Sequence, residues 1–127
     1  MKIEEGIVVN VYEDRGTVRV KRIENDGVIS AELKVIFRGT LKNKEYSMPA
    51  IGEQVVCIFS DCSKGFVLGA VYNDEDQPPV KDKKKHYLQF EDGAVFEYDT
   101  SAHVLKIKSE NVIVEGNIQC TGTITSG

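Results

Sequence analysis

The sequence is poor in the chemistry that usually marks an active site. It has two histidines, His86 and His103, and three cysteines, Cys57, Cys62 and Cys120, in 127 residues. Three cysteines are an odd number and too sparse for a disulfide framework, which suits folding in a reducing compartment. Cys57 and Cys62 lack the second ligand pair of a structural zinc site, so they read as small hydrophobes, Cys57 in a strand and Cys62 in the following turn. His86 has no nucleophile motif beside it. His103 follows Asp99, Thr100 and Ser101, but a catalytic trio is defined by geometry and not by nearness in sequence. The carboxylates are scattered over turns, with little room for a cleft holding a catalytic pair. No enzymatic activity is expected.

Other absences narrow the classes further. No run of about 18 apolar residues occurs, so a membrane-spanning helix is not expected. The start, "MKIEEGIVV", has two glutamates where a secretory signal needs a basic and then an apolar region, so export by that route is not expected. Basic residues do not predominate: 16 Lys and Arg against 20 Asp and Glu give a net charge of −4. That balance argues against a default nucleic-acid binder. No long stretch carries a helical period.

What is present is β-structure. Five short runs, "EGIVVNVYE", "GTVRVKRI", "SAELKVIFRG", "EQVVCIFSD" and "KGFVLGAVYN", are rich in Val and Ile and separated by turn signals. Five strands in so short a segment suit a small closed barrel of the OB-fold type, with Phe37, Phe59 and Phe66 filling it. Closure removes the edges that such strands would offer for aggregation. After Tyr72, "NDEDQPPVKDKKK" has almost nothing to bury; its Pro pair makes it a semi-rigid tether with a solvated lysine run. The organisation predicted is a barrel over 1–73, a linker over 74–85 and a further β-unit over 86–127.

In that last unit, "HYLQFEDGAVFEYD" alternates about Asp92-Gly93, which predicts a two-residue hairpin turn. An isolated hairpin is marginal in water and must pack on something. The terminal stretch then places Val112, Val114, Gly116, Ile118, Cys120, Gly122 and Ile124 at every second position, with mostly polar residues between them and Ile113 the exception. As one strand it would run roughly 40 Å, far beyond the usual five or six residues. Aligned in sixes it reads "SENVIV", "EGNIQC", "TGTITS", with Gly116 and Gly122 at the second place, where a corner needs a permissive backbone. Three hexads make about one coil of a β-helix, and one coil cannot close its own core. Three copies wound about a shared axis would bury Val112, Val114, Ile118, Cys120 and Ile124 with corners at Gly116 and Gly122; another partner would cover the stripe as well.

The stretches "MPAIGEQVVCIF", "KGFVLGAVYNDEDQPP" and "KKKHYLQFEDGAVFEYD", in that order, resemble the baseplate assembly protein V family of contractile-tailed phages. These are central tail spikes, related to the VgrG spikes of type VI secretion systems and to the spikes of R-type bacteriocins. The resemblance runs from "GIVVNVYEDRGTVRV" to the terminal stripe. Pro49, Gly52 and Glu53 match the family's turn into the fourth barrel strand. Gly65, Leu68, Gly69 and Tyr72 match its final barrel strand, Pro78 and Pro79 its linker, and Asp92, Gly93, Glu97, Tyr98 and Asp99 its neck hairpin.

The resemblance implies an all-β homotrimer: an N-terminal five-stranded OB-fold barrel and a C-terminal intertwined triple-stranded β-helix. It implies a structural part of a phage tail or bacteriocin baseplate, assembled in the bacterial cytoplasm. There the trimer sits under the tail hub or tube and is driven into the target cell envelope. Many members bind iron at an apical His-x-His motif; no such motif occurs here, so no cofactor is expected. The shaft is then blunt, capped by a separate PAAR-type tip protein, or continued in residues the sequence lacks. The alternative reading is an OB-fold protein binding single-stranded nucleic acid. It rests on the Arg15, Arg19, Lys21 and Arg22 cluster, but such faces also need exposed aromatics among the cations, and none interleaves here.

Overall fold

A computed structural model describes residues 1–61 and 63–127; Cys62, the expected turn cysteine, lies outside the described residues. The chain forms two compact units, Met1–Gln77 and Pro78–Gly127. The boundary between them falls inside the Pro-Pro tether.

The first unit is a closed barrel of β1 (Lys2–Tyr12), β2 (Thr17–Arg22), β3 (Leu33–Val35), β4 (Gln54–Asp61) and β5 (Lys64–Ala70). The order around it is β1-β2-β3-β5-β4, which is OB-fold-like. β1 serves two neighbours: Lys2–Ile7 pair with β4, and Gly6–Tyr12 pair with β2. A bulge between Val8 and Asn10 lets this eleven-residue strand coil from one partner to the other. β3 and β5 run parallel and close the barrel. The run "SAELKVIFRG" yields only three strand residues, Leu33–Val35, because after Ile36 bonds Val67 O the chain leaves for a long loop.

Strand alternation builds the core. Val8, Val18, Val20, Leu33, Val55, Cys57, Phe59 and Val67 are buried, each flanked by more exposed neighbours. Of the three phenylalanines expected inside, only Phe59 is there. Phe66 follows the inward Gly65 and precedes the inward Val67, so it points out, 41% exposed. Phe37 lies beyond β3 and stacks on Tyr46 with ring centroids 5.8 Å apart.

Among the inward positions, Glu4 precedes Gly6 and Val8 in phase, and Arg22 follows Val18 and Val20. They meet at one mouth of the barrel. Arg22 donates from Nε to Glu4 Oε2 at 2.8 Å and also from its Nη2, while its guanidinium lies 4.1 Å over the Phe59 ring. Lys2 Nζ lies 3.4 Å from Glu4 Oε1, which has no hydrogen-bond partner among the described residues. Burial opposes ionisation of Glu4. The Arg22 and Lys2 cations outweigh it and hold the carboxyl below its ordinary value.

The second unit contains a three-stranded antiparallel sheet, β6 (Lys85–Gln89), β7 (Val95–Asp99) and β8 (Val104–Lys108). The β6–β7 connection is not the two-residue turn predicted. Phe90 N–H bonds Ala94 O at 2.9 Å and Gly93 N–H bonds Phe90 O at 3.0 Å, leaving Glu91, Asp92 and Gly93 as a three-residue loop. Gly93 has φ +91°, the position where such loops demand a left-handed residue. Asp92 Oδ1 accepts from Ala94 N–H.

Candidate assembly interface

Neighbouring side chains in a strand point to opposite faces, and cross-strand partners share one. The pairs His86–Tyr98, Leu88–Phe96, Phe96–Ile107 and Tyr98–Leu105 therefore put six side chains on one face of the β6–β8 sheet. That face is apolar apart from His86 and the Tyr98 hydroxyl. Its large side chains stand half-exposed, from 40% at Tyr98 to 55% at Ile107. The opposite face is mainly polar, with Lys85, Glu97, Asp99, Lys106 and Lys108, although Val104 on it is half-exposed. Glu97 is buried between Lys85 Nζ at 3.4 Å and Lys106 Nζ at 3.9 Å, so this face satisfies its own charge.

Residues 109–127 follow without a paired strand and are exposed throughout. Val112, Val114, Ile118 and Ile124 are uncovered, Ile118 by 71%, and Cys120 is exposed with a free thiol. The backbone bends at Glu110, at Gly116 and at Thr121–Gly122, each bend including the second place of a hexad. Gly116 has φ +144° and nothing within 4 Å of where a Cβ would stand; Gly122 has equal space but no left-handed φ. Six is even, so a stripe of alternate residues stays in phase across these corners. Between β8 and the tail the phase changes, from the odd Leu105 and Ile107 to the even Val112 and Val114. The change falls at Glu110, where Ser109 Oγ donates to Asn111 O at 2.7 Å.

The family-motif residues of the barrel occupy turns and close approaches. Gly52, at φ +93°, is the third residue of the Ala50–Glu53 turn, where Glu53 N–H bonds Ala50 O. Gly52 N–H also bonds Val8 O, which ties this turn to β1. Glu53 Oε1 accepts from Ala50 N–H, so the carboxylate is engaged in the backbone of its own turn. Pro49 and Glu53 border an open recess with Val35, Met48 and Leu68. A Cβ on Gly65 would stand 2.6 Å from Ile58 O, so only glycine lets β4 and β5 approach there. Gly69 sits opposite Val56 at a β-bulge. Leu68 and Tyr72 point to solvent.

The other candidate groups are spent on structure. Cys57 faces the core, and burial, with the Glu4 charge beside it, pushes its thiol up to about 11. Asp99 accepts from Ser101 and Ala102 N–H, which cap the β7–β8 turn and hold its carboxyl low, while His103 takes φ +57° in that turn. The basic cluster in β2 and the turn before it is divided. Arg22 faces inward to Glu4; Arg15 bonds Glu32 at 2.9 Å and lies over Tyr12; Arg19 reaches Ser30 O at 3.4 Å. Phe66, an exposed aromatic of β5, stands opposite Lys34, across β3 from that cluster. The alternation of the hairpin predicts that it must pack on something, but not that Leu88, Phe96 and Tyr98 share the face that stays half-exposed. Their cross-strand register, with Leu105 and Ile107 of β8, is what collects them on one side.

No protein-family profile matches the chain. Over 124 residues, 94% of its length, it is 26% identical to the spike protein of Escherichia phage P2. The chain spans 57% of the length of that relative.

Proposed function

We propose that the chain is a structural spike of a contractile phage tail, working as a homotrimer whose C-terminal residues wind into a triple-stranded β-helix. The observation that carries this reading is the uncovered, alternating stripe over 112–124, bent every six residues, in a chain similar to a phage spike protein. A side-chain stripe of this kind is stable only when covered. Three identical walls about one axis would cover it using only copies of the chain itself.

On this reading the OB-fold-like barrels attach to hub or tube proteins of the baseplate, in the family of baseplate V proteins and their VgrG and bacteriocin relatives. The shaft enters the target envelope when the sheath contracts. Wound strands resist shear because many backbone hydrogen bonds must yield together. The role is mechanical: we assign no catalytic residue and no cofactor, and a separate PAAR-type protein is the proposed tip partner. Trimer-core positions are Val112, Val114, Ile118, Cys120 and Ile124, with corners at Gly116 and Gly122.

Sedimentation equilibrium of the purified chain tests the reading. The expected mass is three times the 14.1 kDa of one chain. A stable monomer at micromolar concentration would sink it.

A further inference from the structure

We infer that the apolar face of the β6–β8 sheet is itself a homotrimer contact, and that it holds three chains together before the terminal stripe is wound. This rests on the trimeric spike reading and adds to it a second, separable interface formed by Leu88, Phe96, Tyr98, Leu105 and Ile107.

The two faces of the sheet differ in their need for a cover: one exposes five large apolar side chains, the other Val104 among charged residues. On the charged face Glu97 is buried between two lysines, so its charge is already compensated. On the apolar face five large side chains and Phe90, in phase with Leu88, remain 40% to 55% exposed. Their exposed area is on the order of 500 Å², near the top of the range for the largest apolar patch of an ordinary monomer. A three-stranded sheet is also near the lower limit of independent stability and gains most from a cover.

The occupant is two more copies of the same chain. Along the chain the face is followed closely by the stripe: β8 ends at Lys108, and the first stripe residue, Val112, comes after the bend at Glu110. Face and stripe together expose on the order of 900 Å² of apolar surface per chain, matching the roughly 800 Å² that each partner contributes to a standard interface. The stripe alone supplies less than that. The two parts also differ in readiness. The sheet is already paired through ten registered residue pairs, five in each ladder, whereas residues 109–127 have no strand partner in the single chain. A preformed surface loses less conformational entropy on association than a segment that must be ordered, so it associates first.

Phe96→Trp in the full chain places a reporter at the centre of the face, the sequence having no tryptophan of its own. With Ile118→Glu and Ile124→Glu added, the stripe is disabled while the sheet is left intact. The expected result is that this triple variant still forms trimers, at higher concentration than the parent, and that its tryptophan emission moves to shorter wavelength as they form. Leu105→Lys should abolish that association, with strand circular dichroism retained; Lys108→Glu on the opposite face should not. If the Phe96→Trp chain is trimeric but its indole emission remains that of a solvent-exposed ring, the sheet contact is wrong and the spike reading stands. If the triple variant is monomeric at all concentrations, the stripe alone drives assembly and the inference fails. A monomeric wild-type chain overturns both.

Discussion

Replacing Arg22 by methionine tests the barrel's inner chemistry. The Glu4 side chain is fully inaccessible and Arg22 is 14% exposed, so the substitution leaves a carboxylate in the barrel mouth with its two best hydrogen bonds gone. Breaking a buried pair from one side costs about 3–5 kcal/mol. Loss of the guanidinium over Phe59 adds about 0.5–1 kcal/mol. Lys2, 62% exposed and 3.4 Å away, offsets under about 1 kcal/mol. The net expected loss is about 3–5 kcal/mol, a large share of the 5–15 kcal/mol of a typical domain. The double substitution Glu4→Leu with Arg22→Met removes both charges and should lie within about 1–2 kcal/mol of wild type.

Urea unfolding followed by strand circular dichroism, at fixed protein concentration, measures all the variants of the cycle. Its pH dependence supplies a second signature. In the wild type the Glu4 carboxyl is held below its ordinary value of 4.5, so its contribution is present above that pH and lost as pH falls through the folded value. Without Arg22, burial acts with only Lys2 opposing it and raises the folded value. The Glu4 contribution to Arg22→Met then improves as pH falls, the reverse of the wild-type trend. A loss below about 1 kcal/mol at pH 7, or a double variant as weak as the single, would refute a charge-paired barrel mouth.

Three further outcomes are expected. Ile118→Glu should weaken trimer formation and move it to higher protein concentration, at several kcal/mol per desolvated charge, while Gln119→Glu on the outer side should not; equal effects in sedimentation would show the inside and outside assignments to be wrong. Gly65→Ala should cost about 1–3 kcal/mol, because the new Cβ meets Ile58 O at 2.6 Å, whereas Gly69→Ala meets nothing within 4 Å and should be nearly neutral in thermal unfolding. Alkylation at pH 8, located by peptide mass, should spare Cys57, whose thiol is buried and pushed up to about 11. Cys120, exposed in a single chain, should react when the protein is dissociated and be protected in the assembled form.

The five strand runs of the barrel were legible because each alternates with a single buried face, and their order in the sequence admits few closures. Less legible was anything decided by a neighbour in space. Phe66 is as apolar as Phe59, yet strand phase sends one outward and the other into the core. Glu4 and Arg22 read as surface charges in a list of residue types. Counted in phase with Gly6 and Val8, and with Val18 and Val20, both fall on the inside, so the signal was present in the alternation. The hairpin loop was misjudged by one residue: Asp92-Gly93 is a sufficient two-residue turn, but here Glu91 joins it and Gly93 takes the left-handed position of the longer loop. The six-residue period of the tail was visible from its glycines. The bend at Glu110 was not, since nothing about a glutamate marks a corner.

The spacing of those bends carries a rule about length. A segment of six residues, roughly 20 Å of extended chain, returns the backbone to the same place in the corner sequence and to the same parity of side chains. Hexads can thus be added or removed whole without exchanging inside for outside. A single inserted residue would turn every following apolar side chain to the wrong side. The barrel is untouched by either change. The length of the chain beyond β8 is therefore a quantised variable, one that duplication or loss of eighteen nucleotides can change while the two sets of side chains keep their sides.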